Sequence, residues 1–184
     1  MEVNGDGRRC DAVVFDNDGL LLDTEASWTR AEEALFERRG LEFTIEHKRE
    51  LLGSAPRPGA LELIAALREV GIPMALASNS PRMLVDRALT TGGIDPATFV
   101  TMLTADDVSN PKPAPEIYLA AVAALGTQPE RTLVLEDSPT GVTAAVAAGC
   151  YTIAVPSLDG VDLGAAELIV DSLAAVEIMQ ALGL

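Results

Sequence analysis

The segment Ala12-Val13-Val14-Phe15-Asp16-Asn17-Asp18-Gly19 carries four apolar residues without interruption into two aspartates, one residue apart, and then a glycine. A short, wholly apolar run bounded by polar residues predicts a strand buried on both faces, and such strands belong to parallel sheets. Three further runs repeat the pattern: Pro73–Ala77, Thr132–Leu135 and Tyr151–Val155. Gly59–Val70, Ser80–Thr90, Pro115–Leu125 and Pro139–Ala148 carry apolar residues at helical spacing instead. Ser80-Pro81 and Ser138-Pro139 each place a capping residue before a first-turn proline, and Gly71, Gly126 and Gly149 follow the helical patterns as stops. Alternation of this kind predicts an α/β fold, a doubly wound, mainly parallel Rossmann-like sheet.

Thr24–Arg39 and Thr44–Leu52 are two more helical patterns, set between the first strand and the rest of the sheet and followed by the loop-forming Gly53-Ser54-Ala55-Pro56-Arg57-Pro58-Gly59. The expected division is a core domain of residues 1–22 and 58–184 with a small helical insertion, 23–57. Arg38-Arg39 and His47-Lys48-Arg49 read as solvated faces of that insertion.

The chain has 184 residues, 48% hydrophobic and 22% charged, which suits one domain with a sizeable core. A formal net charge of -15 repels phosphate backbones and anionic headgroups, so nucleic acid and membrane surfaces are not expected partners. It does not exclude a small phosphate ester, because a bound divalent cation reverses the field at one site. No apolar run approaches the ~18 residues of a membrane span, and the first residues lack the apolar core of a signal peptide. The expected location is therefore cytoplasmic. Cys10 and Cys150 read as free packing thiols in a reducing compartment. With one histidine, His47, and two separated cysteines, a zinc site is not expected.

Ligands of open parallel sheets bind beyond the carboxyl ends of the strands, which is where Asp16 and Asp18 fall. Carboxylates that close repel unless a cation is shared, and magnesium takes such oxygens while keeping several waters. Gly19 lets the chain turn sharply after them. The second run ends at Ser78-Asn79 and the third at Glu136-Asp137, while Lys112 stands between Pro111 and Pro113 in a stiff segment. Together these are the parts of a magnesium phosphotransfer site. Carboxylates bring the ion, the ion and Lys112 neutralise phosphoryl oxygens, and one carboxylate is left to attack phosphorus.

Four ordered motifs carry a resemblance to the haloacid dehalogenase superfamily, in the branch of β-phosphoglucomutase and the sugar-phosphate phosphatases. They are Phe15-Asp16-Asn17-Asp18-Gly19-Leu20-Leu21-Leu22-Asp23-Thr24-Glu25, Ala77-Ser78-Asn79-Ser80, Pro111-Lys112-Pro113, and Leu135-Glu136-Asp137-Ser138 with Gly141. The resemblance implies that Asp16 is a nucleophile that becomes an aspartyl phosphate and that Asp18 is the general acid and base. It implies that Asp16, Asp18 through its main-chain carbonyl, Asp137 and the nearby Glu136 hold Mg2+. Ser78 and Asn79, with the Gly19 turn, would position the phosphoryl group, and Lys112 would stabilise the charge on it and on Asp16. Asn17 departs from the family, whose members usually carry an apolar residue there.

Trp28 stands where phosphoglucomutases of this branch keep a histidine and hexose and hexitol phosphatases often have tryptophan; it is a candidate substrate contact or a packing residue. The insertion is the second departure, because relatives place a four-helix cap there and the 34 residues from Thr24 through Arg57 hold about two helices. A shortened cap implies a broad, slow phosphomonoesterase, or a homo-oligomer in which a second copy covers the open site. The expected activity is magnesium-dependent hydrolysis of a small phosphorylated metabolite, a sugar or polyol phosphate. The alternatives are a sugar phosphomutase and a non-catalytic phosphate-binding, magnesium-binding or scaffold protein.

Overall fold

The structure is a computed structural model that describes residues 9–24 and 55–184. The expected cap helices, and with them Trp28, His47 and the two basic clusters, lie outside the described residues. Six strands form one sheet: β1 (Ala12–Phe15), β2 (Met74–Ala77), β3 (Thr101–Leu103), β4 (Thr132–Glu136), β5 (Tyr151–Ala154) and β6 (Leu168–Ile169), in the order β3-β2-β1-β4-β5-β6. Every pairing is parallel, with Phe15 opposite both Leu76 and Leu135. The helices are α1 (Ala60–Glu69), α2 (Arg82–Thr91), α3 (Glu116–Leu125), α4 (Pro139–Ala147) and α5 (Val176–Ala181). The strand order reverses beside β1, so a crevice opens between the carboxyl ends of β1 and β4.

Strand residues alternate between two buried clusters. Val13, Phe15, Leu76, Leu133 and Leu135 face one side, and Val14, Ala75, Ala77 and Val134 face the other with Ile117, Tyr118, Ala144 and Ala145. Ala144 and Ala145 on α4 are small enough to let the helix lie close to the sheet. Cys10 belongs to the first cluster and Cys150 to the second. Both thiols are free and buried, and burial pushes each up to about 12, which suits packing rather than reaction. No helix among the described residues is long and apolar enough to cross a membrane.

Three elements go beyond the sequence expectation: β3, β6 and α5. Each is short, and β3 and β6 are the edge strands, β3 half-buried and β6 half-buried at Leu168 but exposed at Ile169, without the continuous apolar run that marks the centre of the sheet. At β3, Arg82 Nη2 reaches the Met102 carbonyl at 2.5 Å and the Asp107 carboxylate at 2.9 Å. One expected cap is also corrected. Ser138 caps α4 by accepting from Gly141 N, but α2 begins after Pro81 with no side-chain cap. The Ser80 hydroxyl donates to Asp18 Oδ2 at 2.8 Å.

The two ends of the insertion run side by side. Asp23 N donates to Ala55 O at 2.9 Å and Arg57 N to Leu21 O at 2.8 Å, so residues 21–24 and 55–57 form paired stems beside the crevice.

Candidate active site

Asp16 is the first residue beyond β1, Ser78 the first beyond β2, Glu136 the last of β4 and Asp137 the next. Parallel register therefore delivers all four to one end of the sheet. Lys112 comes from the loop between β3 and α3, and that loop is fixed at two points. Asn79 Nδ2 donates to Lys112 O at 3.1 Å and accepts at Oδ1 from Lys112 N at 3.0 Å. Upstream, the Glu116 carboxylate accepts from Ser109 N and Asn110 N at 2.8 and 2.9 Å.

With its main chain held, Lys112 extends into the buried centre of the crevice. Its ammonium donates to Asp16 Oδ1 at 2.5 Å, Glu136 Oε1 at 2.6 Å and Ala77 O at 3.0 Å. An ammonium has three N–H groups, and all three are engaged. Carboxylate oxygens of Asp16, Glu136 and Asp137 lie within 4.8 Å of one another. Asp18 lies beside this group, its Oδ2 accepting from Ser78 Oγ at 2.9 Å and from Ser80 Oγ.

Burial and crowding set the charges. Burial is the largest influence on Asp16 and raises its carboxyl well above the ordinary aspartate value; Lys112 opposes this, while Glu136, Asp137 and Asp18 add to the rise. Burial also leads at Asp137, pushed up to about 7 with Ser157 opposing. At Lys112 burial acts to lower the pKa, yet Asp16 and Glu136 outweigh it and hold the ammonium above the ordinary lysine value. One lysine thus stands among more carboxylates than it can neutralise. The donors are hard oxygens, with no histidine or thiol among them, and they fit a divalent cation of the magnesium or calcium class.

Glu136 is held most tightly. Oε1 accepts from Lys112 and from Tyr118 Oη at 2.5 Å, and Oε2 from Asp137 N, Ser138 N and Ser138 Oγ at 3.1 to 3.3 Å. A Cβ at residue 141 would collide with this carboxylate, which explains the glycine in the fourth motif. Because five hydrogen bonds fix Glu136, it cannot swing aside. Gly141→Ala is therefore expected to cost about 1–3 kcal/mol, the usual range for overpacking, and to lower phosphate release as well. Thermal unfolding beside a turnover assay measures both, and a variant as stable as its parent would contradict the collision.

Several expected roles look different in place. The Asn79 side chain is committed to the main chain of Lys112, so its effect on a phosphoryl group would pass through that lysine. Gly19 N donates to Leu22 O at 2.9 Å, and its φ of 87° brings the backbone so near Asp137 that no Cβ fits; it shapes the loop. Asn17 is wholly buried, and neither polar atom of its side chain finds a partner among the described residues. Tyr118 and Ser80 are the contributors that sequence reasoning missed. Ser80 sits inside the second motif, two residues from Ser78, and that spacing was the available signal; nothing in the sequence singled out Tyr118.

Comparison with known proteins follows the same lines. Residues 37–149 match the family model for haloacid dehalogenase-like hydrolases. Hexitol phosphatase A of Escherichia coli (strain K12) is 32% identical over 84% of this chain and 90% of its own length. SUPPRESSOR OF QUENCHING 1, a chloroplastic protein of Arabidopsis thaliana, is 31% identical over 82% of this chain, which spans only 18% of that protein. Among solved structures, a putative β-phosphoglucomutase from Thermotoga maritima superposes with a TM-score of 0.77 at 28% identity, over 92% of this chain and 98% of that one. Motif order, an all-parallel sheet with its crevice beside β1 and these likenesses agree that the chain belongs to the haloacid dehalogenase-like hydrolase family, among its phosphoric monoester hydrolases.

Proposed function

We propose that the chain is a magnesium-dependent phosphatase of a small sugar or polyol phosphate, acting through a phosphorylated Asp16. The observation that carries this reading is the Lys112 ammonium joined to both Asp16 and Glu136, with Asp137 alongside, at the topological switch point. The similarity to hexitol phosphatase A supports the polyol or sugar class of substrate. Asp16, Asp137 and the main-chain carbonyl of Asp18 would hold the ion, with Glu136 nearby, and the ion would supply positive charge against phosphoryl oxygens when bound.

In the first step the Asp16 oxygen not held by Lys112 forms a bond to phosphorus and the ester P–O bond breaks. The departing oxygen takes a proton from Asp18, giving the free alcohol. Asp18 then takes a proton from water, whose oxygen attacks the same phosphorus and returns Asp16 as a carboxylate with inorganic phosphate. The hydroxyls of Ser78 and Ser80 hold the Asp18 carboxylate beside the nucleophile, and Lys112 balances the charge that moves onto and off Asp16. Residues 23–57, whose two ends pair beside the crevice, are read as the cap, with Trp28 a candidate substrate contact or packing residue within it.

Phosphate release from a panel of hexose and hexitol phosphates, with magnesium and with chelator, tests the reading. Turnover that survives chelation, or no release from any member, would remove it.

A pH dependence follows from Asp137. Its folded value of about 7 lies above the ordinary 3.8, so its proton stabilises the fold fully below about pH 4, and that contribution is lost as pH rises to about 7. A divalent cation replaces the proton in that window. The rise in melting temperature on adding magnesium is therefore expected to be larger at about pH 8 than at about pH 5.5. Equal shifts at both would mean that Asp137 does not face the ion.

A further inference from the structure

Tyr118 lies on α3, wholly buried, six residues after Lys112. It touches both members of the Lys112–Glu136 pair with different parts of its side chain. The hydroxyl donates to Glu136 Oε1, the oxygen that also receives Lys112 Nζ, and the ring centroid stands 4.9 Å from the same ammonium. A carboxylate offers about four lone-pair sites, and Tyr118, Lys112, Asp137 N and Ser138 occupy those of Glu136. Without the tyrosine hydroxyl, Lys112 would be the sole donor on Oε1.

Resting on the reading of Asp16 as the phosphoryl acceptor, we propose that Tyr118 is a positioning residue for the reaction: by sharing Glu136 Oε1 it limits the pull of that carboxylate on Lys112 and keeps the ammonium on Asp16. Lys112 divides its three N–H groups among Asp16, Glu136 and Ala77. A carboxylate that already accepts a hydrogen bond from Tyr118 draws less on the lysine, whereas one stripped of that bond draws more. The ammonium then moves toward Glu136 and away from the oxygen pair on which charge changes during phosphoryl transfer. Tyr118 reaches no reacting atom itself, and its whole effect passes through Glu136 and Lys112.

Tyr118→Phe removes the hydroxyl and keeps the ring, its packing and its face toward the ammonium. The expected result is a fall in kcat of about tenfold, corresponding to the ~1.5 kcal/mol of a hydrogen bond to a charged group, with KM within about threefold of the parent. A merely structural role would leave kcat of the folded enzyme unchanged. Glu136→Gln supplies the decisive comparison, because in that background the tyrosine has no charged partner to share. Adding Tyr118→Phe to Glu136→Gln should lower kcat no further. If Tyr118→Phe alone fails to fold, a fall in kcat from Glu136→Gln to the double variant still overturns the proposal, because an effect that persists there does not pass through the Glu136 charge. Parental kcat in Tyr118→Phe, or an equal fall in both backgrounds, overturns the proposal. A parent chain that releases no phosphate would instead overturn the reading of the site on which it stands.

Discussion

Asp16→Asn is expected to abolish phosphate release, lowering kcat by about 10^4-fold or more, while leaving the protein as stable as its parent or more so. An amide oxygen does not attack phosphorus at a useful rate, and loss of a nucleophile leaves only the contribution of the surrounding site. The stability side comes from the burial of Asp16 and the carboxylates around it, which make its ionised form costly in the absence of a cation. A neutral amide of the same shape avoids that cost and can still accept the Lys112 hydrogen bond. Phosphate release and thermal unfolding in chelator measure the two effects together. Turnover within tenfold of the parent would show that another group receives the phosphoryl.

Lys112→Met is the second large effect, and here activity and stability fall together. The substitution keeps a long apolar stem but removes the cation between Asp16 and Glu136, at 2.5 and 2.6 Å. Breaking a buried ion pair from one side costs about 3–5 kcal/mol, and at about 2–4 °C per kcal/mol for a chain of this size the melting temperature should drop by roughly 10 °C. The loss should shrink at low pH, where the stranded carboxylates take up protons, and in magnesium, where the ion shields them. In turnover, loss of the charge beside the nucleophile should cost about 10^2–10^3-fold, as for a preorganised stabilising group. A melting temperature at about pH 8 within 2–3 °C of the parent would mean that the lysine is not paired as the structure shows it.

The centre of the sheet was legible because each of its strands is an unbroken apolar run that ends in chemistry. Ala12–Phe15 into Asp16 and Thr132–Leu135 into Glu136 carry both the fold and the site in one line of sequence. The edges were not, since Thr101–Leu103 is half-buried and only three residues long, and Leu168–Ile169 is shorter still. In the site, residue types and strand ends located Asp16, Asp18, Ser78, Lys112, Glu136 and Asp137 at one end of the sheet. Sequence could not supply direction: Asn79 turns its amide to the lysine main chain, and Ser80 leaves the helix it precedes for Asp18. Tyr118 was hidden for a different reason. On a helix of Ile, Leu, Val and Ala it reads as one more core residue, and only the fold brings its hydroxyl to Glu136.

Arg82 occupies the Met102 carbonyl on the outermost strand β3. Exposed sheet margins are templates on which another molecule's extended backbone can lodge, and proteins commonly block them with charge. A guanidinium already tied to Asp107 denies one acceptor to such an intruder. Removing it is expected to open that flank and to make the chain more prone to clump when concentrated or warmed.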